Sequence, residues 1–440
     1  MKEFQGTGIP DQRDFRCEKE KFNNQKGKNM SISKELLQKY AELIVRTGAN
    51  VQKDQVVQLT VSVEQHAFAA MVMEECYKAG ARKVNVDWAC DDQRRLNFRY
   101  ADKDVLGKVL PWEEEKVKQM VEDLPCRIFI ESEDPDALAG IDPEKISAVA
   151  QSRSTVFKPY RNAIEGKHQW VIAAYPSVKW AKKCFPEFGE EEAVDRLWEA
   201  VLKTVRVNEN NDPVAEWKAH TDFIEKKAAW LNAQGFSSLS YHSENGTDFT
   251  VDLIPEAKWE GAGATNAVNG AFYIPNMPTE EIFTSPIAGR CEGTLVAVKP
   301  LSWNSQLIED FAITFKNGRA VSCRAAKGQD LLERMLKMDE GAAMLGEVAL
   351  VPKESQVNQC GFLFYETLFD KNACCHCAVG MGFKEVLPDG DDMSMEEAKK
   401  YGINDSIIHV DFMVGADDLS IDGIRPDGSR EPIFRNGTWA

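Results

Sequence analysis

No stretch of this 440-residue chain approaches the roughly 18 consecutive apolar residues that a membrane-spanning helix needs. The opening Met1-Lys2-Glu3-Phe4 has no apolar core, so no signal peptide is expected. The first half has neither a Gly-x-Gly-x-x-Gly turn nor a phosphate loop, which leaves a nucleotide site without support. Positive charge is in deficit. With 53 Lys and Arg against 70 Asp and Glu, the net charge of -17 argues against a phosphate-backbone partner, and no nucleic acid is expected. Internal repeats and low-complexity tracts are missing as well. The 11 cysteines follow no regular spacing, and Cys374, Cys375 and Cys377 crowd together. They read as reduced thiols of a cytoplasmic protein rather than as a secreted disulfide framework.

What remains is the profile of a globular enzyme, 43% hydrophobic and 28% charged, and too long for one ordinary core. Residues 1–29 are polar and aperiodic and are expected to be a disordered arm, or a stretch ahead of a start at Met30. From Ser33 the pattern is helical, with Leu36, Leu37, Tyr40, Leu43 and Ile44 on one face and a stop at Gly48 and Asn50. Strand-like runs at Val56–Val61, Lys83–Trp88, Arg127–Ile130 and Trp170–Ala174 alternate with helical segments. That alternation predicts βαβ units and a parallel sheet over residues 30–211.

A second domain is expected over residues 212–440. It opens with an amphipathic helix, about Ala215 to Gln234, closed by Gly235. A meander through Leu295–Val298, Leu307–Phe315 and Ala320–Cys323 follows, with Asn317-Gly318 as a hairpin turn. After a helix near Gln329–Met338 come a buried strand at Glu347–Val351 and a last strand at Ile407–Val414. Turn-rich hairpins at Asp427-Gly428 and Asn436-Gly437 end the chain. The fold class is therefore α/β: an N-terminal parallel-sheet domain followed by an α+β domain.

The chemistry concentrates in that second domain. In a strand, His409 and Asp411 share one face while Ile408, Val410 and Phe412 face the core. An imidazole and a carboxylate so placed suit a metal, although a polar edge face would look the same. His376 lies among small apolar residues, where it needs a partner: a core polar group or a metal. Its neighbouring cysteines read as small buried residues. Glu347 opens an apolar strand and must be paired if buried. Glu280 and Glu281 follow Pro278-Thr279. Adjacent residues of an extended chain face opposite ways, so one of the two is a ligand candidate. Two histidines with at least three acids suit zinc or cobalt better than calcium, which prefers oxygen ligands alone.

The segments Pro278-Thr279-Glu280-Glu281, Leu345-Gly346-Glu347-Val348-Ala349-Leu350-Val351-Pro352, Thr367-Leu368-Phe369-Asp370 with Asn372-Ala373, and His409-Val410-Asp411-Phe412-Met413 occur in order. Together they resemble the thermophilic-type metalloaminopeptidases, the family of aminopeptidase T, aminopeptidase S and PepS. The resemblance runs from about Met30 to the C-terminus. It implies a metal-dependent exopeptidase acting on peptide N-termini, as a homodimer enclosing a paired zinc or cobalt site. By motif, Glu281, Glu347, His376, His409 and Asp411 would be the metal ligands, and Glu347 would bridge the ions or handle the proton. The reaction would use a water whose pKa the metal lowers toward ~7.

Two positions depart from the family pattern. Lys371 stands where the family has a metal-binding glutamate, and Phe383 where it has a tyrosine. Three carboxylates balance one dication plus Lys371, whereas a second dication leaves two positive charges in excess. Like charges ~4 Å apart cost about 4 kcal/mol at an effective dielectric of about 20. Either Lys371 replaces one ion, giving a single-metal site, or it points to solvent while Glu366 or water fills the gap. Phe383 removes a hydroxyl that could donate to an oxyanion. These departures favour, as the alternative to an active aminopeptidase, an impaired or silent relative. A hydrolase of another amide is a third reading.

Overall fold

The computed structural model describes residues 32–303 and 306–440, so the arm expected at residues 1–29 lies outside the described residues. The first region is built on four parallel strands, β1 (Val56–Ser62), β2 (Lys83–Ala89), β3 (Cys126–Glu131) and β4 (Trp170–Ala174), in the order β2-β1-β3-β4. This is the βαβ arrangement that the alternating pattern predicts. The helix Lys34–Leu43 starts where Ser33 accepts a hydrogen bond from the Leu36 amide. Its fully buried Tyr40 donates to the Ala174 carbonyl at 3.0 Å, pinning helix to sheet. The helix His66–Lys78 ends just ahead of Gly80, whose φ of 101° only glycine adopts freely.

The second region opens with α1 (Pro213–Gln234), capped by Asp212 and closed by Gly235 at φ 62°. A large antiparallel sheet follows. Its strands Gln306–Lys316 and Arg319–Lys327 form the expected hairpin, with Asn317 and Gly318 at φ 49° and 74°. The segment expected as the final strand is not the last. Ser420–Ile424, Arg430–Arg435 and Thr438–Trp439 follow it and extend the large sheet beside Ser238–His242.

A smaller antiparallel sheet carries the site. It consists of β5 (Glu260–Gly261), β6 (Ile282–Thr284), β7 (Leu345–Leu350), β8 (His376–Gly380) and β9 (His409–Met413), in the order β9-β8-β7-β6-β5. Register decides which side chains meet. Glu347 pairs with Ala378 and Ala378 with Asp411, while Ala349 pairs with both His376 and Phe283. Directly paired residues share a face. Glu347, His376, His409 and Asp411 therefore stand on one side of the sheet. Ile282, Val348, Leu350, Cys377, Val379, Val410 and Phe412 fill the core on the other.

The two regions meet at β4. Its edge residue Ile172 donates to the Pro275 carbonyl at 2.8 Å and accepts from the Met277 amide at 2.9 Å. The chain that leads into Glu281 is thus held by a single parallel bridge against the edge of the N-terminal sheet.

Candidate metal centre

Glu347 is the hub. It is 1% exposed, and one oxygen lies 3.9 Å from His376 Nε2 while the other lies 3.1 Å from His409 Nε2. On one side, His376 Nε2 is 3.2 Å from Glu281 Oε2. On the other, His409 Nε2 is 3.1 Å from Asp411 Oδ1. The five side chains thus form two sets, Glu281–Glu347–His376 and Glu347–His409–Asp411. In each, the ligating atoms fall within 4.8 Å of one another. The structure brings together every residue the sequence motifs point to.

The two adjacent acids face opposite ways. Glu280 turns away and pairs with Arg206 at 2.7 Å, beside His220, which contacts the Thr279 carbonyl. Glu281 turns onto the site face.

Backbone carbonyls orient both imidazoles. His409 Nδ1 donates to the Met381 carbonyl at 2.7 Å, and His376 Nδ1 contacts the Cys374 carbonyl at 3.3 Å. A carbonyl accepts only, so the Nδ1 proton is fixed there and Nε2 faces the carboxylates. Two glycines make this possible. A Cβ on Gly346 would fall 2.2 Å from the Met381 oxygen, and one on Gly380 would fall 2.1 Å from the Ile408 oxygen. Gly346 therefore explains why the motif residue before Glu347 has no side chain, because β7 must approach the carbonyl that aims His409.

Lys371 is in the site. It ends α2 (Thr367–Lys371), which Glu366 caps by accepting from the Phe369 amide. Its ammonium lies 2.9 Å from Glu281 Oε1, and the side chain is 12% exposed. The alternative of a solvent-facing lysine replaced by Glu366 is not what the structure shows.

The charges act on one another strongly. Burial alone would raise the Glu281 pKa, but the Lys371 charge and the His376 contact hold it at about 2. Asp411 is likewise held well below the usual carboxylate range, against burial, by Lys371 and His409. Burial would lower both histidines. Instead Glu281 and Glu347 raise His376, and Asp411 and Glu347 raise His409. Lys371 is raised as well, burial being outweighed by Glu281, Asp411 and Glu347.

At the centre, three buried atoms make no hydrogen bond of proper geometry: Glu281 Oε2, Glu347 Oε1 and His376 Nε2, the first and last lying 3.2 Å apart. Buried polar atoms are rarely left so. Two carboxylate oxygens and an imidazole nitrogen converging on one point are a donor set for a divalent cation, and the residues fit one.

The centre opens into a cavity of about 670 Å³. Glu281, Glu347, Lys371 and Phe383 form its floor, with Phe283, Trp170 and Tyr273 in the walls. Phe383 lies against the His409 ring, the centroids 4.7 Å apart. Further out stand Glu165, Glu260, Glu385 and Asp391. Burial raises Glu260 to about 7, and burial with Glu165 raises Glu385 to about 8. Sequence reasoning missed this acidic wall and the Met381 carbonyl. The wall comes from three distant segments with no local pattern, and a backbone acceptor leaves no mark on residue type.

The family model of the thermophilic metalloprotease (M29) matches residues 33–439. Aminopeptidase PepS of Streptococcus thermophilus is 43% identical over 408 residues, covering 92% of this chain and 98% of the relative. Aminopeptidase AmpS of Bacillus subtilis (strain 168) is 41% identical over 405 residues, 92% and 98% of the two chains. The solved structure of wild-type AmpT from Thermus thermophilus superposes with a TM-score of 0.85 at 36% identity, covering 92% of this chain and 99% of the other. On likeness that spans nearly its whole length in sequence and in fold, this chain belongs to the thermophilic metalloprotease (M29) family.

Proposed function

We propose that the protein is a metal-dependent aminopeptidase, removing N-terminal amino acids from peptides at a zinc or cobalt centre built from Glu281, Glu347, His376, His409 and Asp411. The observation that carries this reading is the trio of unpartnered buried atoms, Glu281 Oε2, Glu347 Oε1 and His376 Nε2, beneath a cavity large enough for an aminoacyl group. Family membership and the names of the relatives support the same reaction. A divalent ion bound there supplies Lewis acidity and a water of lowered pKa. The protein's own groups do the rest. Glu347, between the two histidines, belongs to both ligand sets and would be the carboxylate placed to take a proton. Met381 fixes the tautomer of His409. The acids of the outer wall, of which burial keeps Glu260 and Glu385 partly to largely protonated near neutral pH, offer hydrogen-bond acceptors to a peptide's free ammonium. The functional unit is a cytoplasmic homodimer, with residues 30–211 as scaffold and 212–440 as the catalytic domain.

The test is hydrolysis of a panel of aminoacyl-p-nitroanilides with added zinc or cobalt, against N-blocked counterparts, with Glu347→Gln as control. Turnover confined to free N-termini and lost in the control is the expected result. Cleavage of N-blocked amides would assign a different hydrolase. No turnover in a folded protein with every metal would favour the silent relative.

A further inference from the structure

Lys371 sets a buried ammonium among the carboxylates of the centre. It is lodged on Glu281 at 2.9 Å, and Glu347 and Asp411 are the other carboxylates whose charge acts on it. The two ligand sets also differ. All three orphaned atoms belong to the set Glu281–Glu347–His376. His376 Nε2 and Glu281 Oε2 lie 3.2 Å apart without hydrogen-bond geometry, whereas in the set Glu347–His409–Asp411 the His409 nitrogen meets both carboxylates with that geometry, 3.1 Å from each.

Resting on the metalloenzyme reading above, we infer that the centre takes one divalent ion per chain, held by Glu281, Glu347 and His376, and that Lys371 supplies the positive charge a second ion would bring. Charge balance agrees with the geometry. Three carboxylates are neutralised by one dication and one ammonium, whereas a second dication would leave two positive charges in excess in a buried site. Glu281 can serve both cations because it turns Oε1 to Lys371 and Oε2 to His376. Lys371 is thus a positioning residue, fixing the Glu281 carboxylate and setting the ion count.

Counting tests this without reference to turnover. The full-length protein is loaded with zinc, freed of excess metal by gel filtration, and analysed by plasma mass spectrometry. In parallel, cobalt is titrated and followed by visible absorption. Wild type is expected to retain one ion and to saturate at one equivalent of cobalt, and Lys371→Glu is expected to take two. Lys371→Gln, which removes the charge and is one atom shorter, is expected to bind a second, weaker equivalent. His376→Ala should abolish cobalt binding, while His409→Ala should keep its one equivalent. Two ions on the wild type would overturn the inference and leave the metalloenzyme reading standing. So would a single ion on a Lys371→Glu variant whose circular dichroism matches wild type. No ion on any form would overturn the metalloenzyme reading itself. The wild-type count and Lys371→Gln decide the matter even where Lys371→Glu does not fold.

Discussion

Asn372→Ala is expected to damage stability and metal affinity together, because one amide holds two ligand-bearing segments in place. Asn372 is fully buried. Its Oδ1 accepts the Glu280 backbone N–H at 2.7 Å, and its Nδ2 donates to the Leu368 carbonyl at 2.8 Å. A weaker contact runs to the Pro278 carbonyl at 3.5 Å. Truncation orphans a buried donor and a buried acceptor, each worth ~1–3 kcal/mol, so the loss is about 2–6 kcal/mol. The segment released carries Glu281, and supporting contacts of this kind typically alter metal affinity ~10–100-fold. The assay is denaturant unfolding followed by tryptophan fluorescence, with the slope of the transition checked for constancy, alongside zinc affinity by competition with a chelator. Asn372→Asp keeps the acceptor for Glu280 but sets an oxygen against the Leu368 carbonyl, so it should fall between Ala and wild type. A stability loss under ~1 kcal/mol with unchanged zinc affinity would refute the reasoning, since buried orphans of this kind cost more.

Other consequences follow from the same geometry. Burial, with Glu131 and Asp370 adding to it, raises Glu366 to about 8, so the folded protein binds a proton the unfolded chain has released. Stability must therefore fall as pH rises from the usual carboxylate range to about 8, by at most ~1.4 kcal/mol per pH unit for this one group. Glu366→Gln should flatten that fall in melting experiments across pH 5 to 9, and an unchanged slope would remove Glu366 as its source. Phe383→Tyr sets a hydroxyl at the cavity floor beside His409, and kcat on an aminoacyl-p-nitroanilide should rise about tenfold as the oxyanion gains a donor. A rise in affinity without a rise in kcat would show that the hydroxyl meets the ground state instead. Dialysis against a chelator should abolish turnover, and zinc or cobalt should restore it; activity that survives complete metal removal would contradict the proposed chemistry.

How far the sequence carried depended on whether a feature is written in local pattern. The four strands of the first region are legible as β-branched runs between helical segments, and they stand within a residue or two of where the pattern puts them. The face shared by His409 and Asp411 follows from the period of a strand alone, and β9 keeps it. The identity of the turned-in acid is not local. It depends on Arg206 and His220, about seventy residues upstream, which capture Glu280 and leave Glu281 to the site. The aim of Lys371 is settled by α2 and by the Phe364–Phe369 stack beneath it, which periodicity does not reveal.

The first region has a larger part in the site than its lack of catalytic motifs suggests. Glu281 arrives on a segment hydrogen-bonded to the edge of β4. Lys371 arrives on a helix whose approach is fixed by Trp180, its indole N–H donating to the Phe364 carbonyl at 2.6 Å and its ring packed on Phe369. Both members of the 2.9 Å ion pair at the cavity floor are therefore placed by the parallel-sheet region, whereas Glu347, His376, His409 and Asp411 are placed by the register of the small sheet. A sub-ångström shift of one region against the other would change the Lys371–Glu281 contact while leaving the four sheet-borne groups intact. A site divided in this way ties the charge at the Lys371–Glu281 end to the fit between the two regions. A substitution at the β4 edge is then felt first at Glu281, and at the histidines only through it.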